Sequence, residues 1–359
     1  MEMNVLITGG AGFAGSNMAV YLKLRNPEFD VVSLDNLKRR GSELNLPRLK
    51  KCGVRFIHGD IRNREDLAFE GLSFKPDVVI ESSAEPSVLA GYDGGAEYVI
   101  NTNLGGTINC LEAARKWAAA FLFLSTSRVY PIEKLNALNF TEKETRFELD
   151  DDQEIAGASG RGISGDFTLR GFRSLYGATK LCSEHMIEEY RAMYGMKCVV
   201  NRCGVIAGPW QMGRVDQGVF VHWVGSHYFN RELRYFGYGG TGKQVRDLLH
   251  IDDLCALADW QIKHMEAMDG EVFNVGGGQT ANLSLCETTS LCGDITGNRV
   301  KVTGERKERA ADVRVYITDT GHVQSVTGWA PRMTAADVLN DIFRWIRTNE
   351  REVKGVLFG

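Results

Sequence analysis

The sequence predicts an α/β fold, a doubly wound parallel sheet carrying a smaller C-terminal substrate-binding cap. Three observations predict it. Short β-branched or apolar runs alternate with helix-period stretches through the first half. A glycine-rich turn follows the first of those runs directly. Beyond residue 202 the pattern gives way to glycine and polar loops with isolated helices.

Taken in order, strands are expected at Asn4–Thr8, Val31–Leu34, Val54–Ile57, Val78–Ile80, Phe121–Leu124 and Cys198–Asn201. Helices are expected at Phe13–Leu24, Leu104–Ala118 and Ala178–Tyr194. The strands are near-continuous apolar runs, the pattern of a sheet covered on both faces. Residues 1–202 form the expected first domain, with an insert at about 131–172 whose polar stretch Glu142–Asp166 is long for a loop. Residues 203–359 are expected to be mainly cap, with some segments returning to the first domain, and Leu254–Met268 and Ala335–Arg347 are the clear helices there.

Composition narrows the classes. With 42 Lys and Arg against 46 Asp and Glu, the net charge of −4 carries no basic excess for nucleic acid. The longest apolar run, Trp117 to Leu124, falls far short of the roughly 20 residues a membrane span needs. The amino terminus enters NVLITGG with no basic leader, so no secretory signal is expected. Eight cysteines form no CxxC pair, and seven histidines show no HxxxH spacing. A reduced, cytoplasmic, metal-free protein is the expectation.

The turn TGGAGFAG contains Gly10-x-Gly12-x-x-Gly15 and equally Gly9-x-x-Gly12-x-x-Gly15, and Phe13 and Ala14 open the following helix. Glycines there permit a tight turn, backbone approach to a pyrophosphate and close packing of helix on strand. The exposed amides and positive helix end then hold phosphate. Asp35 ends the second strand 20 residues after Gly15, placed to accept hydrogen bonds from an adenosine ribose, with Asn36 following in the turn. A carboxylate repels a 2′-phosphate, so NAD is expected over NADP, although Lys38, Arg39 and Arg40 work against that preference. The first domain is therefore expected to be Rossmann-type and NAD-binding.

Tyr176 and Lys180 lie four apart in a helix pattern, hence on one face. Oxidation of an alcohol carbon needs a base for the hydroxyl proton, and tyrosine at about pKa 10 is too weakly ionised unless a neighbouring cation favours the phenolate. A second YxxxK match, Tyr130/Lys134, has Pro131 directly after the tyrosine, which disfavours helix at Tyr130. The strand Phe121–Leu124 runs into Ser125-Thr126-Ser127-Arg128-Val129-Tyr130. Strand carboxyl ends face the ligand crevice in an open parallel sheet, where a hydroxyl can meet a reacting oxygen.

Together these elements resemble the extended short-chain dehydrogenases/reductases of the NAD-dependent nucleotide-sugar epimerase/dehydratase family. The resemblance covers essentially the whole chain: TGGAGFAG, Asp35, HGDIR at His58–Arg62, AEPS from Ala84, Asn103, STSRVY, YGATK, GPWQ, RDLLHIDD and RAAD. It implies adenine contacts from Asp60 and Ile61, and a cofactor lining that adds Ser83, Ala84, Glu85, Asn103, Ser125, Cys203 and Val205. It implies Thr126, Tyr176 and Lys180 as the catalytic set, the last two also holding the cofactor. Substrate contacts are implied for Ser87, Thr126, Gln217 and Gln244, with Arg246 and Arg309 clamping a diphosphate. An ion pair with Asp247 or Asp312 is the alternative reading of those arginines.

NRCGVIAGP, GRVDQGVFVHWV and YGGTGKQVRDLLHIDDL, with the long insert, closely resemble the CDP-paratose 2-epimerase subgroup. The implied partner is a nucleotide-diphosphate sugar, CDP favoured, with neither nucleic acid nor membrane. Family dehydratases tend to have Asp-Glu after the catalytic threonine, and related decarboxylases a Glu two residues after it. This chain has Ser127 and Arg128, and a basic residue cannot serve as the acid for water elimination. A UDP- or GDP-sugar 4-epimerase is the alternative, and a non-catalytic NAD-binding sensor a more distant one. Glu81 and Glu85 depart from the His and Gln of many relatives, Pro131 replaces the usual Gly, and Val205 stands where many epimerases have a phosphate-contacting Asn. The resemblance also implies a homodimer or homotetramer built through the Leu104–Ala118 and Ala178–Tyr194 helices. Leu111, Ala114 and Trp117 in one, and Leu181, Met186 and Ile187 in the other, read as apolar positions beyond what one sheet-facing stripe needs.

Overall fold

A computed structural model describes residues 2–69, 74–92, 94–213 and 217–358. The chain divides into two compact units: unit 1 is Met1–Thr126, Leu175–Arg202 and Leu254–Val272, and unit 2 is Ser127–Ser174, Cys203–Asp253 and Phe273–Gly359.

Unit 1 is organised by a seven-stranded sheet. Its strands are β1 (Asn4–Thr8), β2 (Asp30–Asp35), β3 (Arg55–His58), β4 (Val78–Glu81), β5 (Ala120–Thr126), β6 (Cys198–Cys203) and β7 (Val272–Val275), in the order β7-β6-β5-β4-β1-β2-β3. β1 pairs in parallel with β2 and β4, β2 with β3, and β4 with β5. Of the outermost strand, β7, only Val272 falls in unit 1, and Phe273–Val275 are counted with unit 2. This is the doubly wound, Rossmann-type sheet the sequence predicts. The chain builds from β1 toward one edge and then returns to place β4 on the other side of β1. That reversal sets the carboxyl ends of β1 and β4 side by side, with Thr8 opposite Glu81.

The strands run further than their apolar cores: β4 extends to Glu81 and β5 to Thr126. A parallel ladder is made by backbone groups, so polar side chains at its end do not terminate it. Helix α1 (Phe13–Arg25) follows the glycine turn and ends with Lys23 and Arg25, whose charges suit the negative helix end. The expected Leu104–Ala118 helix is a π-turn at Asn101–Gly105 leading into α2 (Gly106–Trp117), which Ala118 closes in the left-handed conformation at φ 56°. Helix α3 (Leu175–Tyr194) starts three residues before the expected Ala178, which puts Tyr176 in its first turn.

The unit 1 core joins Leu6, Val79, Phe121 and Phe123 of the sheet to Cys110, Leu111 and Ala114 of α2 and Ile187 and Tyr190 of α3. Each fully buried side chain of this size contributes about 1.5–3 kcal/mol. The core corrects the expected free stripe. Leu111 and Ala114 are fully buried, Trp117 stacks on Phe69 at 5.3 Å, Leu181 and Ile187 are buried, and Met186 packs on the same cluster. Both helices lie broadside in one core, so positions that read as a second stripe are used within unit 1.

Unit 2 has a four-stranded sheet whose central strand, Val245–His250, pairs in parallel with Val205–Ala207 and Val315–Tyr316 and antiparallel with Asn282–Ser284. Helices Val219–Tyr228, Leu285–Thr296 and Ala335–Thr348 pack on one another. The last two begin with capping boxes, Ser284 with Glu287 and Thr334 with Asp337. The helix expected in the cap at Leu254–Met268 is broken at His264 into Ile251–Lys263 and Met265–Met268, and from Leu254 onward it belongs to unit 1. The insert, expected within the first domain, clusters with unit 2. It forms a hairpin, Phe140–Glu142 with Phe147–Leu149, the Phe147 amide donates to Lys243, and Ile163 bridges to Thr318. All eight cysteines are free thiols.

Candidate active site

Close packing makes the glycine turn. A Cβ on Gly15 would lie 2.3 Å from the Gly9 carbonyl oxygen, and one on Gly10 would lie 2.6 Å from Ser33 of β2. Gly9 holds φ at +64° with the Ser82–Ser83 backbone directly behind it. Gly12 is the N-cap of α1 and supplies no side-chain cap, and the first turn contains no acidic residue. The helix end that Gly12, Phe13, Ala14 and Gly15 form is thus open backbone with a positive dipole, a fit for a pyrophosphate.

Asp35 is buried where β2 meets this turn. Its carboxylate accepts from the Ala11 amide at 3.1 Å and the Leu37 amide at 2.7 Å. Burial pushes its pKa up, and the amides of Leu37, Ala11 and Gly12 pull it back. Asn36 donates to Asp60 at 2.9 Å, and Arg62 grips the same carboxylate, holding it well below the usual range. Ile61 is buried beside them. The four residues expected at the adenosine end therefore form one connected corner of unit 1.

The segment after β4 is pinned from behind. Asn103 is fully buried, accepts from the Glu85 amide at 2.8 Å, and donates to the Glu85 carbonyl at 3.1 Å and the Thr179 hydroxyl at 3.3 Å. Asn103, expected on the cofactor, has its amide engaged in tying Glu85 to Thr179 of α3, between Tyr176 and Lys180. Ser87 is buried, its amide donating to the Glu85 carboxylate at 3.3 Å.

Thr126 is buried at the end of β5, and Ser125 before it donates its hydroxyl to Glu184. Glu184 also takes two nitrogens of Arg202, the nearer at 2.8 Å, and both side chains are buried. The Ser125 side chain, expected at the cofactor, is thus committed to a network within unit 1. Sequence reasoning missed Glu184 and Arg202. The available signal was the spacing of Glu184, four residues beyond Lys180 and eight beyond Tyr176, on one face of α3.

Tyr176 is half-buried, whereas Lys180 is only 2% exposed. The Lys180 ammonium lies 3.7 Å from Glu81 Oε2 and 3.8 Å above the Phe123 ring. Glu81 is fully buried and its other oxygen accepts from the Ser83 amide at 2.8 Å. Burial pushes the Glu81 pKa up, and the Lys180 charge opposes it. Glu81, noted in the sequence only as a departure, is an ion-pair partner of the expected catalytic lysine.

The remaining expected residues belong to unit 2. Cys203 is buried, and Val205 opens the strand that pairs with Val245–His250. Arg246 donates to Asp312 at 2.7 Å and to the Val313 and Val245 carbonyls, which is the ion-pair alternative for this residue. The Arg309 guanidinium lies 3.8 Å over the Phe236 ring. Gln244 donates to the Phe236 carbonyl at 2.8 Å while its own buried carbonyl oxygen has no partner. Gln217 is half-buried. Gln244 and Arg309 thus meet at Phe236, whereas Arg246 is anchored to the Asp312–Val313 segment. Among the described residues no group of three His, Cys, Asp or Glu is placed to hold a metal ion, and no helix is long and apolar enough to cross a membrane.

Residues 5–276 match the family model described as the NAD dependent epimerase/dehydratase family. The chain belongs to this family. The CDP-paratose 2-epimerase of Salmonella typhi is 30% identical over 352 residues, covering 96% of this chain and 99% of the relative. The dTDP-glucose 4,6-dehydratase of Salmonella typhimurium (strain LT2) is 26% identical over 368 residues, covering 99% and 96%. Among solved structures, the UDP-glucose 4-epimerase of Thermotoga maritima with UDP-glucose is 26% identical, covers 97% of this chain and 100% of its own, and has a TM-score of 0.75. The epimerase/dehydratase family uses NAD, and the open helix end and the Asp35 corner of unit 1 fit that cofactor.

Proposed function

We propose that the protein is a nucleotide-sugar epimerase acting at C2 of a CDP-linked 6-deoxy- or dideoxyhexose. The observation that supports an acid–base reading is that α3 carries both a half-buried Tyr176 and, one turn on, a buried Lys180 whose amine lies 3.7 Å from the Glu81 carboxylate. Bound NAD supplies a hydride acceptor and donor. Tyr176 takes the proton of the sugar hydroxyl, and the Lys180 ammonium lowers the cost of the phenolate. The Thr126 hydroxyl hydrogen-bonds the reacting oxygen. Once the ketosugar has turned over, Tyr176 returns the proton, and the net redox change is zero.

Epimerisation is favoured over dehydration by Ser127 and Arg128, which stand where dehydratases carry acids. A serine hydroxyl and a guanidinium are both too weakly acidic to protonate a leaving hydroxyl near neutral pH, and Arg128 donates to the Ala311 carbonyl at 3.0 Å. The CDP-sugar and the C2 position rest on likeness to the Salmonella typhi enzyme along nearly the whole chain. The likeness to a UDP-glucose 4-epimerase favours C4 of a UDP-sugar as the second reading. Incubating NAD-loaded protein with CDP-, UDP-, GDP- and dTDP-hexoses and reading products by NMR decides between them. A C2 epimer from a CDP-sugar is expected; a C4 epimer, or a dehydrated product, overturns the proposal.

A further inference from the structure

The carboxyl end of β4 holds a charge that the sheet has no structural need of. Glu81 is flanked in the sheet by Thr8 of β1 and Phe123 of β5, at the point where strand order reverses, and it is fully buried. A buried carboxylate is costly unless paired, and an apolar residue of similar volume would extend the Val78–Ile80 run at less cost. Lys180 has the matching problem. Its amine is buried on the ring of Phe123, and an amine taken out of water without an anion is driven toward its neutral form. A neutral amine cannot favour a phenolate at Tyr176.

We propose that Glu81 is a positioning residue that keeps the Lys180 amine protonated and held on the Tyr176 face of α3. The proposal rests on Tyr176 and Lys180 acting as the acid–base pair. The 3.7 Å ion pair supplies the anion, and the Ser83 amide fixes the carboxylate from the loop side. The Thr107 hydroxyl of α2 is 3.5 Å from the same Glu81 oxygen, but its proton goes to the Asn103 carbonyl at 2.7 Å. Cys110 of α2 also faces the pair, and burial pushes its thiol well above its ordinary range so that it adds no charge; the titratable neighbours of Lys180 along α3 are Tyr176 and Glu184, one turn to either side, the latter matched by Arg202. Glu81 is thus a carboxylate paired with Lys180, whereas Glu184, one turn further along α3, is held by Arg202.

Removing the anion must lower the proton affinity of the amine, which fixes the sign of the test. The full NAD-loaded chain is labelled with lysine carrying ¹³C at Cε, Lys180→Ala assigns the resonance, and its shift is followed with pH in wild type, Glu81→Gln and Glu81→Asp. The Lys180 midpoint is expected to fall by one pH unit or more in Glu81→Gln and by less in Glu81→Asp, which also carries the test should Glu81→Gln not fold. The alkaline limb of kcat is expected to move down with it, with KM little changed. A Lys180 midpoint unmoved by both substitutions, or a uniform fall in kcat with an unshifted limb, overturns the proposal. Wild-type turnover in Tyr176→Phe and Lys180→Ala would instead overturn the acid–base reading itself, whatever the Lys180 midpoint does.

Discussion

The chain contains the spacing Tyr-x-x-x-Lys twice, and the two copies are built with opposite polarity. In unit 1 the tyrosine of Tyr176/Lys180 is half-buried and the lysine is closed in with a carboxylate. In unit 2 the arrangement is reversed. Tyr130 is 1% exposed, its hydroxyl donates to Asn274 at 2.7 Å, its ring packs on Phe167 and Tyr316, and Lys134 is exposed. Pro131 is the N-cap of the short helix Ile132–Asn136, so Tyr130 stays outside it and the two side chains do not share a helix face. Spacing proposes such a pair, but burial and the partner of each polar atom decide what it can do. A proton acceptor needs an oxygen that substrate can reach and a cation that water does not screen.

The largest effect that would break this contrast is on turnover. Tyr176→Phe removes only the phenolic oxygen and is expected to cost about 10²- to 10⁴-fold in kcat with NAD occupancy retained. Tyr130→Phe should leave kcat near wild type, and comparable losses at the two positions would mean the wrong helix has been chosen. On stability the lysines separate next. Lys180→Ala strands the buried Glu81 carboxylate and is expected to cost about 3–5 kcal/mol in urea unfolding, as well as NAD affinity, while the exposed Lys134→Ala stays within about 0.5 kcal/mol. The tyrosines then reverse their order. Tyr130→Phe leaves Asn274 without its donor and should cost about 1–3 kcal/mol, more than Tyr176→Phe costs.

The smallest effect sharpens the contrast along α3 itself. Tyr190 donates to Glu112 of α2 at 2.6 Å; burial and that carboxylate push its pKa up to about 12, away from the phenolate that Tyr176 is proposed to form. Glu112 is held at about 2, chiefly by Arg115 and then by Tyr190, below its ordinary 4.5. A depressed carboxylate contributes stability above its unfolded pKa and loses it as pH falls, here between about 4.5 and 2, whereas the raised tyrosine loses its contribution as pH climbs from 10 to about 12. Glu112→Gln should therefore flatten the acid limb of a stability–pH curve, and an unchanged slope between pH 4.5 and 2 would remove this tie between α2 and α3 from the account.

What could be read from the sequence follows from the range of each interaction. The strands, α1 and the glycine turn are written in consecutive residues, and β1, the turn and Asp35 stand where the periodicity puts them. The two ends of α3 were less evenly legible. Its close at Tyr194 was visible, but its start was placed at Ala178, beyond the helix-disfavouring Gly177, although Ser174 directly before Leu175 is a residue type that starts helices. The place of the insert was not legible at all, since its ties to Lys243 and Thr318 join residues far apart in sequence. Asn103 was legible as a motif position, but its amide is spent on Glu85 and Thr179, and no spacing rule encodes that. Glu81 illustrates the same limit: the sequence shows a charge ending an apolar run, and only the fold brings Lys180 to it.

The division of unit 1 into three stretches of chain has a consequence for how the protein is made. When Ala120–Thr126 leaves the ribosome, β1 to β4 are already available to pair with one of its edges. Its other edge belongs to β6, which is synthesised only after the insert and all of α3. At about 5–20 residues per second, the AFLFLST segment spends some seconds as an apolar, unpaired edge. Nascent chains halted just before Cys198 should accordingly be the ones that chaperones hold longest and that aggregate most readily. Extending them through β6 should release them. The strand that ends at Thr126 thus waits through the synthesis of about seventy further residues for the partner on its second edge.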